Sequence, residues 1–473
     1  MLLKTIKYIS AFSLSLTLFT CYAAESGAAS ADKQAGTTGL SPEQKLAQLS
    51  GKPTGTVIYK GANVFAGDML TLLPDQAIIV TGERIRSIVP SADLDATLLA
   101  GAELIDVHGL FVLPGLIDSH VHHATHPNRL FAEGQLKRDL YAGITGVRDM
   151  AGDVRFLGDL SRQALINDIP APDIYYASLV SGPDFFKDPR TVTSALGMQA
   201  GAAPWMYAVT DQTDLSLAVA QARGTGATGL KIYANLSGKL VRDLIAEARR
   251  QHFPVWTHLQ VFPATPYDAL GADSVSHVCM IARWAAQPEK DRYGYTTRTN
   301  YEGITADHPE IQRYIAALSQ SGTSMDATLS VYATRAGAEP AADPKSHCTL
   351  QLAGAITRKM VLAGIPQIAG TDEIAAPDDP FPQLNQELEY LVRYAGLSAR
   401  EAILAATGNA AKVLGKEHDM GTIAVGKYAN LVFVKADPTR DIANLRSVEF
   451  TVKRGLRFLR SDYHHVPIPD SDD

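Results

Sequence analysis

The sequence predicts a parallel (β/α)8 barrel of the TIM type, joined to a small β-sandwich domain built from both ends of the chain. Three observations carry this expectation. The middle of the chain, 112–415, holds eight short apolar runs with helix-patterned stretches between them, the order that builds a parallel barrel. Strand-like runs punctuated by Gly and Pro fill 56–111, and a matching pattern returns at 416–460. Several of the eight runs end in His, Lys or Asp, on the side where such barrels place their reactive groups.

Taken in order, residues 1–24 read as a signal peptide. "MLLKTIK" supplies the basic end, "YISAFSLSLTLFT" a short apolar run, and "CYAAESGAAS" the small residues for cleavage after Ala23 or Ala24. The run is too short for an ordinary membrane span, so no span is expected. This predicts an exported protein, periplasmic or secreted; lipidation of Cys21 is the alternative, disfavoured by Thr20 before it. Residues 25–55 form a flexible polar leader. "TVIYKGANVF", "QAIIVTGERIRSIVP" and "AELIDVHGLFV" make the first part of the small domain, within 56–111. The barrel strands are "GLIDSHVH", "GITGVRDM", "DIYYASLVS", "TGLKIYA", "FPVWTHLQ", "DSVSHVC", "GTSMDATL" and "PQIAGTD". Helices fall on "DLSLAVAQARGTG", "GKLVRDLIAEARRQH" and "EIQRYIAALSQSG". "GTIAVGKYANLVFVKAD" and "VEFTVKRGLRF" complete the small domain, and 461–473 is a solvated tail.

Composition is that of a globular protein: 473 residues, 46% hydrophobic, 20% charged, with a formal net charge of −7. That mild acidity gives no reason to expect nucleic acid or an anionic membrane as partner. A small-molecule substrate is the expected partner, and the oligomeric state stays open, a homo-oligomer included. Of the three cysteines, Cys279 and Cys348 remain once the leader is removed; they can pair in an oxidising compartment but need not.

The chemistry starts at "FVLPGLIDSHVHH", residues 111–123. Residues two apart in a strand share a face, so His120 and His122 project together and His123 faces away. The other strands end in Lys231, His258, His277 and Asp372. Any one strand-end histidine has an ordinary hydrogen-bonded reading. Four histidines and an aspartate at the same end of successive strands point to a metal site. Lys231 fits among cations only as a neutral amine or a carbamate, because an ammonium has no lone pair to offer.

These segments, with "TGNAAKVLG" and "GTIAVGKYANLVFV" behind them, resemble the amidohydrolase superfamily over nearly the whole chain after about residue 56. The similarity is to the imidazolonepropionase-related branch that includes metal-dependent dipeptidases and carboxypeptidases. The resemblance implies two divalent metal ions. Zinc suits imidazole and oxygen ligands best, and manganese, cobalt or iron are compatible. His120, His122 and Asp372 would hold the more buried ion, His258 and His277 the more exposed one. Lys231, carboxylated on its side-chain nitrogen, would bridge them. The implied reaction is hydrolysis of a carbon–nitrogen amide bond, in a dipeptide or an N-acyl amino acid. A hydroxide between the metals attacks and Asp372 passes the proton to the leaving nitrogen. Tyr233, two residues beyond Lys231 on the same face, is a candidate for the substrate carboxylate or carbonyl, with barrel packing as its alternative.

Peptidase-like members often carry a Gly-Gly-His segment after strand three. This chain reads "SGPDFFKDPRTVTSALGMQAGAAPWMYAVTD" there, in which Arg190, Trp205 and Tyr207 could line a different pocket, with packing as their default reading. His123, His126 and the Arg148–Asp149 pair stay outside the first set of ligands, the pair read as an internal salt bridge, with orientation of the ligands as its alternative. A deaminase is disfavoured because "LQVFPA", after His258, has no carboxylate. A cyclic-amide hydrolase of the imidazolonepropionase kind is the alternative enzyme. A secreted metal-binding protein without catalysis is the alternative of a different class.

Overall fold

The computed structural model describes residues 52–287, 299–337, 345, 347–372, 375–376 and 378–465. The expected signal peptide, most of the leader and the end of the tail lie outside the described residues.

The first five strands are β1 (Thr56–Ala66), β2 (Thr71–Thr81), β3 (Arg84–Pro90), β4 (Ala102–Asp106) and β5 (Phe111–Pro114). β1, β2 and β3 pair antiparallel, and β1 takes β4 beside Thr56–Lys60 and β5 beside Asn63–Val64, both parallel. A register shift after Lys60 separates those two stretches of β1, so one strand carries two partners along a single edge.

The barrel then runs β6 (Leu116–Val121), α1 (Arg129–Tyr141), β7 (Ile144–Asp149), α2 (Val154–Leu165) and β8 (Asp173–Ser181). An excursion follows with α3 (Pro189–Ser194), β9 (Ala202–Ala203) and β10 (Met206–Ala208). Next come α4 (Leu215–Gly224), β11 (Gly229–Ile232), α5 (Gly238–Arg250), β12 (Val255–His258) and β13 (Ser274–Ser276). The rest is α6 (Cys279–Ala285), α7 (Pro309–Ser321), β14 (Ser324–Asp326), α8 (Leu329–Gly337), α9 (Leu350–Leu362) and β15 (Gln367–Ile368). The helices α10 (Gln383–Arg393), α11 (Ala399–Ala405) and α12 (Gly408–Val413) precede β16 (Leu431–Val434), β17 (Val448–Lys453) and β18 (Leu456–Leu459).

Eight strands, β6, β7, β8, β11, β12, β13, β14 and β15, pair in parallel in that order. The ring closes between the β15 end and β6 through Ser119 N–H to Ala369 O and Asp372 N–H to His120 O, each 2.8 Å. These strands are buried on both faces, their apolar residues interrupted by polar ones that find partners inside the barrel, such as Asp118, Arg148 and Asp326. The helices alternate with them for local reasons. In α5 the Ser237 hydroxyl accepts from Leu240 N–H, and Leu240, Val241, Leu244, Ile245 and Ala248 form one buried stripe. Between β12 and β13 the connection is a short 3-10 turn, Pro266–Ala269. The β9–β10 hairpin extends β8, with Met206 opposite Leu179.

At the other end of the chain, β16 pairs antiparallel with β5, β17 with β16 and β18 with β17. Both chain ends thus share one eight-stranded sheet around Tyr59, Val64, Val80, Val112, Phe433 and Phe450. This sheet is fastened to the barrel floor where Lys453 and Arg454 meet Asp173, the first residue of β8, at 3.4 and 2.8 Å. Among the described residues no helix is long and apolar enough to cross a membrane.

Candidate metal centre

The C-terminal ends of the barrel strands open into one cavity of about 660 Å³. His120, His122, Lys231, Tyr233, His258, His277 and Asp372 all line it. At its floor His120 Nε2 and His122 Nε2 approach the same Asp372 oxygen, Oδ1, at 2.9 and 3.0 Å. One donor atom from each of these three residues lies within 4.8 Å of the others. His277 comes within 3.8 Å of Asp372 Oδ2, and the His258 and His277 rings are 4.4 Å apart. Lys231 is 1% exposed, and its Nζ has no hydrogen-bond partner.

Local structure explains the convergence. His277 and Asp372 both have positive φ, +74° and +51°, a conformation that non-glycine residues adopt only when the surroundings enforce it. At both positions the chain turns off its strand end and the side chain swings inward. The buried Asp118 carboxylate ties the first and last strands together, accepting from His120 N–H at 3.0 Å and from the Thr371 hydroxyl at 3.0 Å. Gly370 leaves room for that junction, since a Cβ there would sit 2.5 Å from Asp326 Oδ1 and 2.6 Å from His120 Cβ.

Electrostatics sharpen the set. Burial drives the Lys231 amine down to about 7, so it is substantially neutral in mildly alkaline solution. Burial likewise lowers His277 to about 3 and holds His258 well below the ordinary histidine value, so both rings keep a lone pair at neutral pH. Burial would raise Asp372, but His120 and His277 beside it hold the carboxyl well below the usual range.

The residue that sequence reasoning missed is Asp326. It ends β14 with its side chain fully buried, accepts from Ser276 Oγ at 2.9 Å and places Oδ2 2.7 Å from His120 Nδ1. A carboxylate on Nδ1 fixes the ring so that Nε2 faces the cavity with its lone pair. The signal was available, because "GTSMDATL" ends in a strand-end carboxylate like its neighbours. Thr125 and Thr328 orient His122 and His277 in the same way, each 3.0 Å from Nδ1. Glu387 on α10 then anchors the β14–α8 turn, accepting from Leu329 N–H, Ser330 N–H and the Ser330 hydroxyl.

Other expectations resolve differently. Arg148 does not pair with Asp149. Its guanidinium lies 3.7 Å from Asp326, donates to Ser119 O and Ser274 Oγ and covers the Trp256 ring, while Asp149 accepts from Ala124 and Ala151 N–H. Arg190 and His126 line the cavity; Trp205 and Tyr207 do not, and Trp205 Nε1 instead donates to Ser194 O. His123 turns away and pairs with Asp139 at 2.9 Å. Tyr233 stands edge-on to His258 with ring centres 4.4 Å apart, its hydroxyl beside Arg190. Cys279 and Cys348 form a disulfide in the cavity wall.

Comparison with known proteins places this geometry. The amidohydrolase family model matches residues 353–457. An imidazolonepropionase of Solibacter usitatus (strain Ellin6076) is 24% identical over 395 residues, covering 79% of this chain and 88% of that one. The chain is thus similar to the amidohydrolase family over 353–457 and to an imidazolonepropionase over most of its length. These similarities support a hydrolase acting on carbon–nitrogen bonds. Two solved structures share the fold. A Xaa-Pro dipeptidase with bound methionine in its active site has a TM-score of 0.65 at 20% identity, covering 85% of this chain and 100% of that one. Molinate hydrolase has a TM-score of 0.66 at 18% identity, covering 89% and 98%.

Proposed function

We propose that this protein is an amidohydrolase that cleaves the amide bond of a small substrate, a dipeptide or an N-acyl amino acid, at a site for two divalent cations. The observation that carries the reading is the buried, unpartnered Lys231 amine in the same cavity as four imidazoles and the Asp372 carboxylate. That donor set fits the group the family implies. A neutral amine adds to carbon dioxide, releasing one proton and leaving a carbamate with two oxygens. His120, His122 and Asp372 would hold one ion, His258 and His277 the other, and the Lys231 carbamate both. When bound, such cations polarise an amide carbonyl and acidify water.

The chain's own groups do the rest. Asp372, ionised and set between His120 and His122, accepts a proton from the attacking water and returns it to the leaving nitrogen, which would otherwise depart as an unstable amide anion. Burial raises the Tyr233 pKa, so its hydroxyl stays protonated and donates to a substrate oxygen. Arg190, bonded to Asp188, lines the cavity beside that hydroxyl and brings a positive charge to a substrate carboxylate. Export to an oxidising compartment belongs to the same proposal and is supported by the Cys279–Cys348 bond.

Metal content per chain, with turnover of a panel of dipeptides and N-acyl amino acids, tests the reading. Two equivalents in the parent and a sharp fall in Lys231→Ala, with loss of turnover, are expected. One equivalent insensitive to that substitution refutes it. The imidazolonepropionase similarity supports ring amides as a second substrate class, so the panel includes cyclic amides.

A further inference from the structure

Adjoining the metal-facing floor, part of the cavity wall is made of three separate pieces of chain. α6 begins two residues after His277 and contributes Met280 and Arg283; α8 contributes Val331 and Tyr332; the approach to α9 contributes His347. Helices at a barrel mouth are held by their own loops, and nothing in their sequence spacing fixes one against another. Here they are stitched. The Cys279–Cys348 disulfide joins the first residue of α6 to the residue before the Thr349 cap of α9, across a sequence separation of 69. Between them, the Tyr332 hydroxyl on α8 accepts from Cys279 N–H at 3.2 Å. Both cysteines are buried and both line the cavity. The floor has separate supports: His120 leans on Asp326 and His277 on Thr328, and neither contact passes through the sulfurs.

We propose that the Cys279–Cys348 disulfide is a positioning element for the substrate, fixing the wall against which the part of the substrate remote from the scissile bond packs. Breaking it loosens the wall and leaves the metal floor intact. The proposal rests on this cavity being the substrate pocket. It concerns residues that play no part in holding cations.

The test compares oxidised protein, the same protein treated with a water-soluble phosphine, and a C279S/C348S variant. The phosphine becomes its oxide, taking oxygen from water, while the two sulfurs gain hydrogens. Hydrogen exchange in 279–285 and 347–353 is expected to quicken roughly tenfold on reduction, with the barrel strands unchanged. For a hydrolysed amide, KM is expected to rise about fivefold or more with kcat within about twofold, since uniform binding is what a loosened wall loses. The double variant should behave like the reduced protein and ignore the phosphine. Unchanged exchange at those helices overturns the proposal. So does an unchanged KM, or a fall in kcat with metal loss, which would place the tether's effect at His277. The exchange measurement needs no substrate, so a failure of the amide panel is distinguishable from a failure of the tether.

Discussion

Replacing Asp326 by asparagine changes one charge and almost no volume, at a position that touches no substrate. In the parent, Oδ2 lies 2.7 Å from His120 Nδ1 and 2.9 Å from Ser276 Oγ, with the Arg148 guanidinium 3.7 Å away. The amide oxygen of asparagine can still accept one hydrogen bond, so His120 keeps a neighbour but loses its anion. Ligand basicity falls with it, and the expected loss of metal affinity is about 10–100-fold. That corresponds to roughly 1.4–2.7 kcal/mol. Arg148 loses its buried counter-charge as well. At an effective dielectric near 20 the direct attraction over 3.7 Å is about 4.5 kcal/mol, a ceiling on the added cost in stability. The assay is competitive zinc titration of metal-free protein against a chromophoric chelator, with thermal unfolding run in parallel. Metal affinity within about twofold of the parent in a folded variant would refute the orienting role assigned to Asp326.

Glu387 offers a pH test. Burial pushes its carboxyl up to about 8, although three donors favour the charged form. A raised folded-state pKa means stability is fullest below the ordinary glutamate range and declines as pH rises toward 8, by at most about 5 kcal/mol. Urea unfolding of metal-free protein near pH 5 and pH 8.5 should therefore differ more for the parent than for Glu387→Gln; equal differences would count against the assignment. Gly370→Ala drives a methyl into Asp326 and His120, and is expected to cost about 1–3 kcal/mol and to weaken metal uptake. Metal uptake like the parent's would show that the junction can yield.

Eight strands were legible because each is a short apolar run bounded by Gly, Pro or polar residues. The three quoted helices carry a 3.6-residue stripe and appear at Leu215–Gly224, Gly238–Arg250 and Pro309–Ser321. Strand-end polarity also led to Lys231 and the four histidines, since alternation along a strand is a local rule. What escaped was set by contacts across the barrel. Asp326 gains its meaning from His120, which lies 206 residues earlier. Arg148 reaches Asp326 and passes over its neighbour Asp149, a choice of direction that spacing does not encode. The β9–β10 hairpin pairs over two or three residues, too few for alternation to register. Trp205 follows its default reading as a packing residue, its indole spent on Ser194, whereas Arg190 in the same segment reaches the cavity.

The pairing of β5 with β16 has a consequence for how the chain reaches this state. Phe111–Pro114 finds its partner Leu431–Val434 roughly 320 residues later, so one edge of the first-made sheet stays unsatisfied until nearly the whole chain is available. Strands of that kind, waiting with open edges, are the places where growing chains associate wrongly. The small domain therefore cannot complete its sheet from its opening strands alone, and loss of β16 would leave β5 with an open edge.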